Sequence, residues 1–241
     1  MSIPKLIHYC WFGTKPLPKS CEKILASWKK HLPDYEIMLW NEKTFDITEC
    51  QFVEDAYRAG KYAFVSDYAR LSALKAYGGL YFDTDLEVVR NFDSLLEGAN
   101  AVFGFESEEK VMTAFMAVTP DHPIIGEFLE SYADRTFDAS NLEPNTVTLT
   151  RLLGCRGLVL NNEMQTLGEG TVVYPLDYFQ AYDFSRASLR LTDHTATIHR
   201  CFGSWCSLPE RAVFAAKRLL GGLLSEEAYD RLKRLKKRIG S

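Results

Sequence analysis

The sequence lacks the features that mark several large classes of protein. No uninterrupted apolar run is long enough for a membrane-spanning helix. The first residues lack the long apolar stretch of a signal peptide, so we expect a cytoplasmic protein. The formal net charge is −4, which gives the chain as a whole no electrostatic attraction for nucleic acid. Internal repeats and low-complexity segments are also missing.

Cysteine is present without the spacing of a metal or redox motif. None of the 6 cysteines forms a CxxC pair. Because the chain shows no export signal, we expect free thiols in a reducing compartment. A zinc site at Cys201 and Cys206 is the weaker alternative, since a second pair of ligands is missing.

What remains is the composition of an ordinary globular domain. The chain has 241 residues, of which 46% are hydrophobic and 25% charged, so it can bury its own core. A strand at Lys5–Phe12, a helix at Lys19–His31 and a strand at Glu36–Trp40 read as a βαβ unit, which closes right-handed onto a parallel sheet. We therefore predict an α/β fold whose single Rossmann-like, mostly parallel sheet is flanked by helices. Further strands are predicted over 101–105 and 112–117, with helices starting near Pro123 and Asn145.

The stretch Phe64–Glu87 organises the rest of the chain. Asp67, Arg70 and two leucines share one face of a predicted helix, because they are spaced i, i+3, i+4 and i+7. Two charges on an apolar helix face must either pair with each other or other charges, or bind a ligand. A Gly-Gly pair then ends the helix, and a short apolar strand follows.

Two aspartates, Asp83 and Asp85, stand where that strand runs out. Carboxylates at i and i+2 point to the same side of an extended backbone. Ligands of open α/β sheets lie at the carboxyl ends of strands, and a cation that holds a diphosphate needs only one or two protein carboxylates. The pair therefore predicts a seat for a metal and a diphosphate, although Asp-x-Asp alone is a weak signal.

Two stretches resemble a known family. SDYARLxxLxxYGGLYFDTD, with the opening strand IPKLIHYCWFG, is similar to the DXD glycosyltransferases of the bacterial capsular polysaccharide type, glycosyltransferase family 32. These are related to the yeast initiating α-1,6-mannosyltransferase and, distantly, to clostridial glucosylating toxins. The resemblance covers the first half well and the rest in patches. It implies a GT-A fold over residues 1–206, a Mn²⁺ (or Mg²⁺) ion and a nucleotide-sugar donor.

The resemblance also implies roles for individual residues. Asp67, Arg70 and Asp85 are implied in catalysis; Trp11, Asp67, Arg70, Asp83, Asn145, Ser204 and Trp205 in donor binding; and Asp83, Asp85 and His199 in metal binding. From the residues alone, Trp11 could equally be a core side chain or a face for a base. The resemblance favours stacking on uracil, and hence a UDP-sugar. Asn145 could equally cap its helix or touch the donor sugar. His8 is expected to be a buried core histidine, and His194 a solvated one.

The tail differs in composition from the rest. Residues 207–241 predict a helical extension with a strongly basic end. A basic end is typical of a solvated terminal helix, and equally of a helix that meets anionic lipid at the inner face of a membrane. The second interpretation suits an enzyme that acts on a lipid-linked acceptor.

The function predicted from the sequence is retaining, metal-dependent transfer of a sugar. The donor would be a nucleotide sugar and the acceptor a saccharide or a lipid-linked saccharide in capsule or exopolysaccharide synthesis. Two alternatives stay open. One is a phosphotransferase of the haloacid dehalogenase kind with Asp83 as nucleophile, although Glu87 breaks that pattern. The other is a non-catalytic protein that binds a nucleotide sugar.

Overall fold

The computed structural model describes residues 2–138, 143–183 and 188–200. Its strands are β1 Leu6–Cys10, β2 Glu36–Trp40, β3 Gly79–Phe82, β4 Leu86–Val88, β5 Ala101–Ser107, β6 Lys110–Val111, β7 Phe115–Val118, β8 Gln165–Leu167, β9 Thr171–Tyr174, β10 Tyr182–Asp183, β11 Ser188–Leu189 and β12 Thr197–His199. Its helices are α1 Lys19–His31, α2 Gln51–Arg58, α3 Tyr62–Tyr77, α4 Pro123–Glu130, α5 Asn145–Gly154 and α6 Leu176–Phe179.

The main sheet has the strand order β2-β1-β3-β7-β5-β9-β8, with β6 paired to β5. Strands β2, β1, β3, β5 and β9 run in one direction, while β7, β8 and β6 run in the other. The prediction of a mostly parallel sheet is therefore confirmed. Two short antiparallel ribbons, β4–β12 and β10–β11, complete the strands.

Helices and the β4–β12 ribbon bury the two faces of this sheet. On one face α3, α4 and α5 pack against inward side chains such as Tyr81 and Phe103. On the other face α1 and the β4–β12 ribbon cover Leu80 and Phe82. Tyr81 lies between Leu80 and Phe82 in sequence. Because side chains alternate along a strand, these two neighbours both lie on the face opposite to that of Tyr81.

The first βαβ unit agrees with its prediction. Helix α1 and strand β2 have the predicted bounds, and β1 pairs with β2 in parallel from Leu6–Glu36 to Cys10–Trp40. The strand predicted over 112–117 is only partly correct, because residues 115–117 belong to β7 whereas residues 112–114 separate β7 from β6. Between them, the carbonyl of Ala114 accepts from the amide of Asp83 and the carbonyl of Thr113 accepts from the side chain of Arg70.

His8 is the buried core histidine that the sequence predicts. Its side chain is fully enclosed. The indole N–H of Trp40 donates to Nδ1 at 3.1 Å, so Nδ1 is an acceptor and Nε2 carries the proton. Nε2 then donates to the carbonyl of Gly78 at 2.8 Å. The ring is thus a neutral tautomer that joins β1, β2 and the end of α3.

Two further expectations concern the periphery. His194 is exposed as predicted, and its ring stacks on Tyr178. Within the described residues, no helix combines the length and the apolar character needed to cross a membrane. The basic extension over 207–241, its boundary after residue 206 and the pair Cys201 and Cys206 lie outside the described residues.

The buried His8 predicts a loss of stability in weak acid. Burial lowers the pKa of His8 from its ordinary 6.5. Below that pH the unfolded chain binds a proton that the folded chain excludes, so the free energy of unfolding falls with pH by at most about 1.4 kcal/mol per pH unit for this group. His8→Gln can keep both hydrogen bonds but cannot be protonated, so we expect a shallower decline between about pH 6.5 and pH 5.

Urea denaturation of both proteins across this pH range measures the slope. His122, whose pKa burial also lowers, and Asp67, whose pKa burial raises to about 6, stay in both proteins and so contribute alike to both slopes. Equal slopes for the wild type and His8→Gln would assign the acid sensitivity to groups other than His8.

Candidate functional site

Residues that the sequence singled out meet at one edge of the main sheet. Strands β1 and β3 are parallel neighbours, with His8 opposite Tyr81. Trp11 follows β1 and Asp83 follows β3, so both lie at the carboxyl edge of adjacent strands. In open α/β sheets this edge is where ligands bind.

The Gly78–Gly79 pair delivers the aspartates to this edge. Both glycines have positive φ, 62° and 92°. A Cβ on Gly79 would lie 2.8 Å from the carbonyl oxygen of Leu6, and one on Gly78 would meet the backbone of Pro120. Only glycine has both the conformation and the space, so the chain can leave α3 and enter the sheet directly as β3.

The guanidinium of Arg70 is the buried centre of the site. Its Nη2 lies 2.8 Å from Oδ1 of Asp67 and 3.3 Å from Oδ1 of Asp83. Nη1 donates to the carbonyl of Thr113 at 2.9 Å and Nε to that of Ser66 at 3.2 Å. The charges on the apolar helix face are therefore paired, as the sequence required.

Tyr81 is a member of this site that the sequence analysis missed. Its hydroxyl donates to Oδ1 of Asp83 at 2.9 Å, and the guanidinium of Arg70 lies 4.4 Å from the centre of its ring. From the sequence, this strand is predicted only as short, apolar and aromatic. The signal was nevertheless available, because Tyr81 and Asp83 are spaced i, i+2 and so share one side of the strand.

Asp67 lies in an environment that disfavours its charge. Burial raises its pKa to about 6, although the positive charge of Arg70 opposes the shift. Asn145 approaches Asp67 from α5, and its Nδ2 lies 3.5 Å from the backbone carbonyl of Asp67. The Oδ1 of Asn145 accepts from the hydroxyl of Tyr132, and Asn145 does not cap α5, which begins after Pro144 without a side-chain cap. The capping interpretation of Asn145 is therefore wrong.

The β4–β12 ribbon supplies the other half of the site. Strand β4 begins directly after Asp85, and β12 pairs with it so that His199 lies opposite Leu86. The amide of Arg200 donates to the carbonyl of Asp85 at 2.9 Å. Helix α1 fixes this ribbon, because the indole N–H of Trp28 donates to the carbonyl of Leu86 at 2.6 Å.

Together the two halves form a compact set of possible metal ligands. One ligand atom each from Asp83, Asp85 and His199 lies within 4.8 Å of the others. Nε2 of His199 is 3.3 Å from Oδ1 of Asp85, and both side chains are largely buried, with 9% and 16% exposure. Two carboxylates and an imidazole are a donor set that Mn²⁺ accepts, while Mg²⁺ prefers oxygen alone.

Of the three remaining residues predicted to bind the donor, the structure describes Trp11 but not Ser204 or Trp205. Trp11 is partly exposed, and its indole N–H donates to the carbonyl of Lys15 at 2.8 Å, which fixes the ring at the surface of the loop after β1. It is therefore not a core tryptophan. Ser204 and Trp205 lie outside the described residues.

Part of the first half of the chain matches a family model. Residues 18–102 match the family described as "Glycosyltransferase sugar-binding region containing DXD motif". The matched region contains Asp67, Arg70, Asp83 and Asp85, and it leaves out Trp11 and His199.

Related proteins agree with this match. The chain is 29% identical over 161 residues to an uncharacterized glycosyltransferase of Acanthamoeba polyphaga mimivirus, covering 61% of this chain and 62% of the relative. It is 28% identical over 168 residues to a protein named as a toxin from Photorhabdus asymbiotica, covering 53% of this chain and 6% of the relative. The chain thus spans less than two thirds of the length of each of these relatives.

A solved structure shares the fold. The structure titled PaToxG glycosyltransferase superposes with a TM-score of 0.52 at 24% identity, covering 63% of this chain and 68% of its own. The predicted GT-A fold is therefore confirmed. The family match and the named relative, each over part of the chain, are similar to this protein in the way that the prediction of a DXD-type glycosyltransferase requires.

Arg70 predicts a large effect on stability. Arg70→Met leaves the carboxylates of Asp67 and Asp83 without their buried counter-charge, which typically costs about 3–5 kcal/mol. We expect the cost to be smaller in an Asp67→Asn background, because one of the uncompensated charges is then absent. Urea denaturation of the four proteins in this cycle measures both values. Equal costs in the two backgrounds would show that Arg70 and Asp67 do not interact energetically.

The ligand set predicts cation binding. We expect Asp85→Asn to weaken Mn²⁺ binding by more than the about 10–100-fold typical of losing an outer-shell partner. Electron paramagnetic resonance of free Mn²⁺ measures the affinity. Asp34→Asn is the matched control, because this exposed carboxylate pairs only loosely with Lys5 at 3.4 Å. An affinity that Asp85→Asn leaves at the control value would remove Asp85 from the ligand set.

Proposed function

We propose that this glycosyltransferase transfers a sugar from a nucleotide diphosphate to an acceptor hydroxyl, with a divalent cation held by Asp83, Asp85 and His199. The observation that carries the proposal is the convergence of these three side chains at the carboxyl edge of the sheet. Within that set, Asp83 is also braced by Arg70 and Tyr81. Carboxylates held by buried partners are already arranged for a ligand, so little reorganisation is needed on binding.

The three side chains fit a divalent cation by chemistry and by spacing. When bound, such an ion neutralises the charge that develops on a departing diphosphate. Asp83 and Asp85 would contribute carboxylate oxygens and His199 an imidazole nitrogen. The prediction of Mn²⁺ over Mg²⁺ rests on this imidazole.

The surrounding side chains would bind and orient the donor. Trp11 would stack on the base, which favours UDP through the family resemblance. Asp67 and Asn145 would hold hydroxyls of the sugar. A direct contact between Arg70 and a phosphate stays a prediction, whereas its contacts support a role in holding Asp67 and Asp83 in place. Ser204 and Trp205 would cover the site and exclude water, which limits wasteful hydrolysis.

The family resemblance suggests the stereochemistry and the acceptor. Retention of the anomeric configuration would proceed by attack on the face from which the phosphate departs, since the sequence offers no obvious enzymic nucleophile. A saccharide or lipid-linked saccharide of capsule or exopolysaccharide synthesis is the acceptor that this resemblance implies. The basic extension over 207–241 would then bring the protein to the cytoplasmic face of a membrane.

An acceptor outside polysaccharide synthesis is the second candidate. Two relatives carry names that point away from polysaccharide synthesis: the Photorhabdus toxin, and a "subversion of eukaryotic traffic" protein of Legionella pneumophila that is 28% identical over 111 residues. The match covers 6% and 17% of these relatives, so it concerns one region of much longer chains. The family match and the fold support neither the phosphotransferase nor the non-catalytic alternative.

A nucleotide-sugar screen tests the proposed function. We expect one or more UDP- or GDP-sugars to raise the melting temperature only when Mn²⁺ is present, because a ligand that binds the native state stabilises it by mass action. Slow release of UDP or GDP from the same donor should accompany binding. Asp85→Asn should lose both effects and Asp34→Asn should keep both. Wild-type protein that neither binds nor cleaves any donor in the panel would overturn the proposal.

Trp11 predicts a selective effect on the nucleotide. Stacking on an aromatic ring contributes about 1–3 kcal/mol per base, so Trp11→Ala should weaken UDP binding about 5- to 150-fold. Trp11→Phe keeps an aromatic face and should lose much less. Isothermal titration with UDP and Mn²⁺ measures the three affinities. Equal UDP affinity in Trp11→Ala and the wild type would show that the indole does not contact the base.

A further inference from the structure

A further carboxylate, which is not among the predicted site residues, lies at the same edge of the sheet. Strand β5 runs parallel to β3, and β7 lies between them. The carboxyl ends of β3 and β5 therefore lie at one edge, separated by about 10 Å. Asp83 follows β3, and Glu106 is the next-to-last residue of β5.

The face of β5 that carries Glu106 is the one that faces the β4–β12 ribbon. Val102 belongs to the hydrophobic cluster that this ribbon shares with α1. A Cβ on Gly104 would touch the Phe179 ring of the same cluster, whereas Phe103 and Phe105 pack on the opposite face. Alternation up to this point places Val102 and Gly104 on the side of the ribbon, and the charges of His199 and Asp83 act on Glu106, which places its carboxylate on the same side.

A β-bulge marks the same position. Phe105 pairs with Val111 and Ser107 with Lys110, so β5 has one residue more than β6 between these pairs, and that residue is Glu106. A bulge of this kind turns a side chain away from the regular ladder, and bulges are over-represented beside active sites.

The electrostatic surroundings agree with this placement. Burial raises the pKa of Glu106, and the charges that act on it are those of His199, Lys110 and Asp83. Two of these three belong to the candidate metal site. Among the described residues, none makes a hydrogen bond or an ion pair with the Glu106 carboxylate.

We propose, building on the proposed function, that Glu106 binds a sugar hydroxyl on the β5 side of the metal site. A partly buried carboxylate is a strong acceptor for a hydroxyl donor, and its position about two strands beyond the diphosphate seat is within the span of one sugar ring. Asp67 and Asn145 approach the site from α3 and α5, whereas Glu106 approaches from the opposite face of the sheet. The hydroxyl belongs to the donor sugar or to the acceptor sugar, and the experiment separates these two sources.

The test compares Glu106→Gln and Glu106→Ala with Glu108→Gln. Glu108 is an exposed carboxylate in the same β5–β6 hairpin, so it controls for the loss of one local charge. Three quantities are measured with Mn²⁺: affinity for UDP alone, affinity for and hydrolysis of the UDP-sugar that most stabilises the wild type, and transfer from that donor to a panel of methyl glycosides. UDP affinity should stay within about twofold in all three variants, because UDP has no sugar hydroxyl to lose.

Two results support the proposal. If the hydroxyl is the donor's, both Glu106 variants weaken binding of the UDP-sugar by about tenfold or more, the loss expected for one hydrogen bond to a charged group. If the hydroxyl is the acceptor's, donor binding and hydrolysis stay at the control value, while transfer falls by about the same factor through a higher KM for the glycoside.

Two results overturn it. Glu106 variants that match Glu108→Gln in every measurement leave Glu106 without a role in sugar binding. Variants that weaken UDP binding itself place Glu106 in the metal site instead. Wild-type protein that fails to bind UDP or any UDP-sugar is a different result, because it removes the proposed function rather than the assignment of Glu106 alone.

Discussion

The buried guanidinium of Arg70 is the interaction on which the site depends. It is almost fully enclosed and meets carboxylates from two elements, Asp67 on its own helix and Asp83 after β3. Neither carboxylate could be held in a largely apolar setting without a counter-charge. Arg70 also donates to the carbonyl of Thr113, in the segment between β6 and β7. One residue therefore balances two carboxylates and binds the backbone next to β7.

The two halves of the site reach this edge by different routes. Asp83 and Asp85 come directly from the central sheet, while His199 comes from a separate ribbon that α1 fixes through Trp28. Electrostatically the halves also differ. The β3 side holds a buried cation beside its carboxylates, whereas the His199 side adds a neutral or positive ring beside Asp85 and Glu106.

The sequence was informative where local rules apply. The bounds of α1 and β2, the glycine turn, and the carboxylate pair after β3 follow from periodicity, turn chemistry and strand alternation within a few dozen residues. Motif resemblance added His199, which lies far from the aspartates along the chain. Local rules could not predict the features that depend on pairing with another strand. In the segment between β6 and β7, Thr113 bonds to Arg70 and Ala114 bonds to Asp83, both of which lie far away in sequence, and the bulge at Glu106 exists only relative to β6.

The burial of Asn145 illustrates the same limit. Its position at the start of a helix suggested a cap, but in the fold it bonds to Tyr132 from the preceding helical region and to the backbone of Asp67. Its side-chain partners come from tertiary packing, which a single sequence read locally does not contain. Trp11 is partly exposed, and its hydrogen bond to Lys15 is made within the same short loop, while its stacking on a base stays a prediction.

The pairing of β12 with β4 has a consequence for how the protein matures. The backbone of Asp85 is joined to that of Arg200, so the ion-binding corner closes a loop of more than a hundred residues. A chain emerging from the ribosome carries both aspartates long before His199 exists, and its affinity for a divalent ion would rise only when that last strand docks. Binding of an ion would therefore indicate that β12 has docked on β4. The ion would in turn stabilise this pairing, which closes a long loop at a high cost in conformational entropy.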